Sequence, residues 1–422
     1  MRKLTLLTLI YCFYFSSAVF AAVISPSSME LNFNFQASFF TSEFNRKANH
    51  IADDHASHMF GLFHSSTTIN KFGLDSTLVG GVAAPLMPLS INIISDQTQS
   101  GVRQITYTAS GKLLVQKPVA AQWLQMKTIT LPMPYDLDSF YDKNCTSTTY
   151  DSQGDFWYFY DAFQAGCEKF TTSPLASNVT FNFTPNKESK TEYRPKLDQI
   201  RGDNGNGEDL VITYIHGFAH DPKEKSDDGR VNYNTVNERL KAKGFTTTII
   251  RRTSTSPAVL LEKQTKDANG KNINIKIYHY LVETSLSSRS KLFAKFFKDA
   301  IENADVLIYA GHSGLGGNLD IPSLEDKAGE FEFNPNKKQI LFFNSCSSYS
   351  YYLNQFSEIK RKSKIDVLTN GLSSYFYTAP DIELKFLETI IDPSKNPTWT
   401  EILKYMESDL GGANYMLNVG AI

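Results

Sequence analysis

The sequence holds too little glycine and proline for a collagen-like or low-complexity chain, with 24 Gly and 16 Pro among 422 residues. Its 41% hydrophobic content excludes intrinsic disorder. An excess of one charge is also missing. Lys+Arg number 42 and Asp+Glu 44, so no basic field exists to hold a polyanion, and no nucleic-acid partner is expected. After the first 22 residues no apolar run reaches the ~18 residues that a membrane-spanning helix needs, so the mature chain should be soluble, without a membrane span. Cysteine is scarce, with four in all: Cys12, Cys145, Cys167 and Cys346.

The N-terminus has a plan of its own. Arg2 and Lys3 precede the apolar stretch Leu4 to Phe15, and Ser16-Ser17-Ala18 leads into Val19-Phe20-Ala21. A basic start, a short apolar middle and small residues at the end read as a secretory signal peptide, residues 1–22. The expectation is an exported protein, secreted, periplasmic or held at the cell surface. Cys12 would leave with the signal, and three cysteines would remain. Cys145 and Cys167 lie in one aromatic-rich segment around Phe156-Trp-Tyr-Phe-Tyr160, and a local disulfide between them is the natural pairing. Cys346 is then a free thiol.

Two kinds of patterning follow. Residues 23–200 read as a β-rich N-terminal domain. Met29 to Phe35 and Ser90 to Ile94 alternate at period two, and Arg103–Thr108 and Lys112–Val115 flank Ala109-Ser-Gly111 as a hairpin-like connection. The polar stretch from Asn186 to Glu208 reads as a linker or exposed loop. From about residue 205 to 422 short apolar runs alternate with helical periods. Leu210–Ile215, Phe245–Ile250, Val306–Ala310, Gln339–Phe343 and Ile365–Leu368 read as strands, and Ile273–Tyr280 as an edge strand or hairpin arm. Val231–Lys243, Ser288–Asn303 and stretches near 381–391 and 398–408 read as helices. Strands apolar on both faces, alternating with helices, predict an α/β domain with a mostly parallel sheet covered by helices on both faces.

In such a sheet reactive groups gather beyond the carboxyl ends of the strands. Three strands here end that way: one in His216-Gly217, one in Gly311-His312-Ser313-Gly314, one in Asn344-Ser345-Cys346. Neighbouring strands lie ~4.8 Å apart, so an imidazole and a thiol on adjacent strand-end loops come within reach of each other. Only the thiolate attacks, and an ordinary thiol has a pKa of ~8.5, so a nearby base is required. An apolar strand running into a His-Gly-type turn, followed by one running into Cys, resembles the caspase-like (clan CD) cysteine peptidases over the second half of the chain. That resemblance implies a caspase-like sheet, His312 as general base and Cys346 as nucleophile. It also implies Gly314 with the Cys346 N–H as oxyanion donors, a protein or peptide substrate, and no cofactor. Ser313 and His216 are expected near the substrate, and Asn370-Gly371 and Ser373-Ser374 beside it.

The sequence departs from that pattern in two places. Ser313 stands between the histidine and Gly314, and Asn344-Ser345 precede the cysteine where the family carries an acidic residue or Gln followed by Ala. The alternative is therefore a non-catalytic caspase-like binding protein. A serine hydrolase built on Ser313 is a weaker reading, because Leu315 replaces the second Gly of a nucleophile elbow and no histidine follows His312. His50, Asp53, Asp54, His55, His58 and His64 cluster in sequence without zinc-site spacing. They read as a solvated polar helix, and no metal is expected.

Overall fold

A computed structural model describes residues 23–65, 67–68, 81–138, 145–146, 156–172, 174–186, 193–202, 209–267, 270–285, 290–410 and 414–420. The expected signal segment, residues 1–22, lies outside them. Among the described residues no helix is long and apolar enough to cross a membrane.

Strict alternation builds the first sheet. In β1 (Ser28–Thr41) Leu31, Phe33, Phe35, Ala37 and Phe39 are buried, and every second residue turns the other way. The sheet continues with β2 (Ala83–Pro85), β3 (Ser90–Gln99), β4 (Val102–Gln116), β5 (Thr128–Pro134) and β6 (Ala176–Pro185). Its order is β2-β4-β1-β6-β5 with β3 also on β4, and all its pairings are antiparallel. The helices α1 (Ala48–Ser57), α2 (Met59–His64) and α3 (Lys117–Met126) share a core with the inner face of β1.

The expected hairpin at Ala109-Ser-Gly111 is instead the middle of the continuous strand β4. Ile105, Tyr107 and Ala109 stay in phase through it, and Gly111 pairs with Phe33. Gly111 is there because of space: a Cβ would lie 2.9 Å from a Leu89 methyl and 3.0 Å from the Phe33 ring. The turn falls one strand earlier, at Ser100-Gly101, both at positive φ.

The second sheet has eight strands. These are β7 (Asp209–Gly217), β8 (Thr246–Arg251), β9 (Ala258–Lys266), β10 (Asn272–Val282), β11 (Val306–Ala310), β12 (Gln339–Asn344), β13 (Ile365–Asn370) and β14 (Leu417–Gly420). Their order is β14-β13-β12-β11-β7-β10-β9-β8. The sheet is mixed. The run β13-β12-β11-β7-β10 is parallel, while β14, β9 and β8 pair antiparallel at the two ends. Ile273–Tyr280, expected as an edge strand or hairpin arm, is the second arm of a hairpin with β9, and it lies inside the sheet because β9 and β8 pair beyond it.

The helices of this half are α4 (Asp228–Ala242), α5 (Lys291–Asn303), α6 (Ile321–Ala328), α7 (Ser348–Ser357), α8 (Ala379–Ile391) and α9 (Trp399–Glu407). Helix α5 starts at Ser290, whose hydroxyl accepts from the Phe293 N–H, and it buries Phe293, Ala294, Phe297, Ala300 and Ile301 along one stripe. Helices cover both faces. Phe342 packs on Phe386 of α8, whereas its neighbour Phe343 packs on Tyr352 and Phe356 of α7, and successive strand residues face opposite ways.

The two sheets are joined along α7. The Tyr349 hydroxyl donates to Glu30 Oε1 at 2.6 Å, the Met87 N–H to the Ser350 carbonyl at 3.3 Å, and Phe60 stacks on Tyr351. Ile24 exchanges two backbone hydrogen bonds with Val419. Within the stretch expected to be exposed, Leu197 and Ile200 are buried in the second core, one helical turn apart, and Arg201 donates to carbonyls at the end of α8. Cys145 and Cys167 form a disulfide, and Cys346 is free and half-buried.

Candidate active site

Four parallel strands end level with one another. His216 of β7 is the register partner of Ala310 in β11, and Ala310 that of Asn344 in β12, while Asn370 of β13 donates from its amide to Asn344 Oδ1 at 2.8 Å. His312 therefore stands two residues beyond Ala310, and Cys346 two residues beyond Asn344. They occupy equivalent positions past paired ends of adjacent parallel strands.

Each loop is fixed by its own bonds. After Cys346 the chain turns sharply: Ser347 sits at φ +51°, a left-handed conformation that costs a non-glycine residue about 1 kcal/mol. Its N–H bonds the Leu372 carbonyl, and the Ser348 hydroxyl donates to the Phe343 carbonyl while accepting the Asn370 N–H. Helix α7 starts at once, so Cys346 lies just ahead of its first turn. The His312 carbonyl accepts from the Tyr309 hydroxyl at 2.6 Å and the Asn318 amide at 2.8 Å.

The imidazole itself is oriented. His312 Nε2 lies 2.8 Å from the Ala219 carbonyl oxygen, which can only accept, so Nε2 carries the proton and Nδ1 keeps its lone pair. The ring meets Phe376 edge to face at 5.3 Å. Ala219 is held in turn by Asp227, a buried carboxylate at the N-terminus of α4. Asp227 accepts N–H bonds from Ala219 (3.1 Å), His220 (2.7 Å) and Arg230 (3.1 Å). Gly229 makes this approach possible, since a Cβ there would fall 2.0 Å from the Gly217 carbonyl. The sequence reading did not single out Ala219 or Asp227. The one available signal was an Asp ahead of a helical period.

A cavity of about 180 Å³ opens between these loops, and His216, His312, Asn344, Cys346, Ser374 and Phe376 are among its lining residues. The cysteine sulfur lies 3.7 Å from the Ser374 carbonyl. Of the candidates from sequence, His216, His312 and Cys346 thus share one cavity, as does Ser374. Gly314 and Ser313 are not among the lining residues. Ser313 is buried with its carbonyl accepting from the Tyr352 hydroxyl, and Gly314 belongs to the following turn at φ +57°.

The cavity floor rests on a buried polar chain. His279 Nδ1 donates to Asn237 Oδ1, so its Nε2 accepts from His216 Nδ1 at 2.8 Å. That leaves His216 Nε2 as an acceptor, 3.4 Å from Glu383 Oε2. Glu383 also receives the Tyr214 hydroxyl and, on Oε1, the Asn344 amide at 2.6 Å. Burial lowers the His216 pKa to about 3 and raises that of Glu383 well above the usual carboxylate range. Both shifts agree with neutral imidazoles and a protonated carboxyl. No sequence pattern announced Glu383, which meets β7 and β12 only through tertiary packing.

His50 and Asp54 of α1 are exposed as expected, but His55, His58 and His64 are not solvated. His55 is buried, stacks on Phe39, and bonds the Tyr107 hydroxyl and the Pro134 carbonyl. Desolvation lowers its pKa to about 3 and those of His58 and His64 to about 4. Aromatic neighbours on β1 and β4 draw this face of α1 inward. Among the described residues no group of three or more His, Cys, Asp or Glu is arranged to hold a metal ion.

No protein-family model and no curated protein matches the sequence. Among solved structures, the chain is similar to a secreted C11 cysteine protease from Bacteroides thetaiotaomicron, at 10% identity and a TM-score of 0.25. The similarity spans 48% of this chain and 62% of that one, less than two thirds of its length. At that overlap it assigns no role to any residue of the site.

Proposed function

We propose that the chain is an exported caspase-like cysteine endopeptidase, with His312 as general base and Cys346 as nucleophile. One observation carries the reading: the two side chains line a single cavity from equivalent positions past paired strand ends, with His312 Nε2 tied to a carbonyl. Nδ1 is then the nitrogen left to take the thiol proton. The thiolate attacks the scissile carbonyl carbon, and the C–N bond breaks as His312 returns the proton to the leaving amine. The resulting thioester is hydrolysed by water, which gives a proton to His312 and frees the carboxylic acid as the sulfur leaves. The chain's own residues supply each of these steps. The Cys145–Cys167 disulfide supports export, because such bonds persist in oxidising compartments. In this proposal residues 23–200 form the N-terminal domain and 205–422 the catalytic one.

Iodoacetamide labelling of the folded chain tests this. Cys346 should alkylate rapidly near neutral pH, and His312→Ala should slow the reaction by about 100-fold, the usual worth of a positioned base. Alkylation only after denaturation would leave the non-catalytic binding protein in its place.

A further inference from the structure

The lining of the cavity says what kind of side chain it accepts. We infer that the substrate residue bearing the attacked carbonyl has an uncharged, mainly apolar side chain, seated in the cavity against Phe376 and Ala379. This inference rests on the peptidase reading and goes beyond it to the substrate class.

The walls carry the argument. Among the described residues no Lys, Arg, Asp or Glu lines the cavity, so a charged side chain entering it finds no counter-ion among them. Several of the polar groups that line it are already committed. The Asn232 amide donates to the Phe376 carbonyl at 2.7 Å. Asn344 gives its amide to Glu383 and accepts from Asn370, and His216 is bonded to His279. A side chain that sought a hydrogen bond from the Asn232 amide or from Asn344 would have to break one of these bonds to make it. Apolar groups fill the remaining wall: Ala310, Ala379 and the rings of Phe376 and Tyr375.

The buried carboxyls nearby do not change this: Asp227 accepts the N–H groups of Ala219, His220 and Arg230. Glu383 lies wholly buried behind Asn344 and His216, with Oε1 and Oε2 both engaged. Its burial also favours the protonated form, so it offers a lysine or arginine neither access nor charge. On the other side Arg230 is spent on the carbonyls of Pro222, Glu224 and Ser254, leaving it unavailable to an acidic side chain. His220, which also lines the cavity, is on the exposed rim. An unpaired charge in such a cavity is strongly disfavoured, whereas an apolar side chain gains by leaving water. Space is sufficient: about 180 Å³ compares with the ~10–15 Å³ that a single water requires by the same measure. At the mouth, Tyr375 and the more exposed Tyr377 stack on each other at 5.3 Å, offering an aromatic surface to the adjoining part of the peptide.

Peptidyl chloromethyl ketones that differ only in the residue next to the warhead (Leu, Phe, Lys or Asp) test the inference on the full chain. In each, the Cys346 sulfur would displace chloride, and intact-mass kinetics with peptide mapping read the rate at Cys346. Iodoacetamide, which has no side chain to place, serves as the reference. Leu and Phe reagents should label at least about 100-fold faster than Lys and Asp, the discrimination an apolar pocket supplies when a charge is left unpaired. Ala379→Asp, which adds a carboxylate to the wall at the start of α8, should narrow the gap for Lys while widening it for Asp. Equal rates for all four reagents, or a Lys or Asp preference, alongside normal His312-dependent iodoacetamide labelling, would overturn the inference and leave the peptidase reading standing. Failure of iodoacetamide to label the folded chain would overturn both.

Discussion

Asp227 offers the sharpest test of how His312 is held. Replacing it with Ala removes three N–H···O bonds at once, from Ala219, His220 and Arg230. The third is the N-cap of α4, worth about 1 kcal/mol. Hydrogen bonds to a charged acceptor contribute about 1.5–3 kcal/mol each, so the local loss amounts to about 4–7 kcal/mol before relaxation. That is enough to release the segment 217–227 without unfolding the sheet, since β7 stays paired to β10 and β11. The Ala219 carbonyl then no longer fixes Nε2, and the imidazole rotates out of register with the thiol. Asp227→Ala should reduce the iodoacetamide rate at Cys346 by about 10- to 100-fold, part of what a positioned base supplies, and Asp227→Asn should fall between it and the parent. Far-ultraviolet circular dichroism on the same samples reports whether the sheets persist. A parent-like labelling rate in an Asp227→Ala protein whose thermal transition has dropped would refute the chain of positioning from Asp227 to His312.

Three further outcomes are expected. In a double-mutant cycle with Tyr349→Phe and Glu30→Gln, the buried bond between the two sheets should give a coupling of about 1–2 kcal/mol in urea unfolding, and a coupling near zero would remove it as a clamp. His55 stays neutral in the fold down to about pH 3 but titrates near 6.5 when unfolded. The unfolded chain therefore binds the extra proton as pH falls below 6.5, and stability declines by about 1.4 kcal/mol per unit. His55→Gln should abolish about 2 kcal/mol of the loss between pH 6.5 and 5, and an unchanged pH profile would count against its burial. Gly111→Val should cost about 1–3 kcal/mol by crowding Leu89 and Phe33, and a neutral result in thermal unfolding would argue for a break in β4.

Much of the second half was legible because its signals are local. Continuous apolar runs marked β7, β11, β12 and β13, and the strand-end residues His216, His312 and Cys346 could be read directly from where those runs stop. The register that sets Ala310 beside both His216 and Asn344 could not. It depends on pairings between strands separated by whole helices. Ala219 escaped notice because it acts through its carbonyl, which every residue possesses. Glu383 escaped because an acid within a helical period ordinarily faces water, whereas here β7 and β12 enclose it. In the first half, Ser110-Gly111 resembled a turn. Glycine served there to admit the Phe33 ring, a demand made by a partner strand some eighty positions away. His55 of α1 looked solvated for a similar reason, since nothing near it in sequence reveals the aromatic surface of β1 and β4.

Helix α7 is gripped from the preceding half of the chain through Glu30, Phe60 and Met87, and it begins two residues after Cys346. Because a helix is stiff, these contacts fix the start of α7, and with it the residue that precedes its N-cap, relative to the first sheet. The left-handed residue Ser347 is the single link between that helix and Cys346. The place of the sulfur is thereby set by both sheets at once, through one helix and one residue.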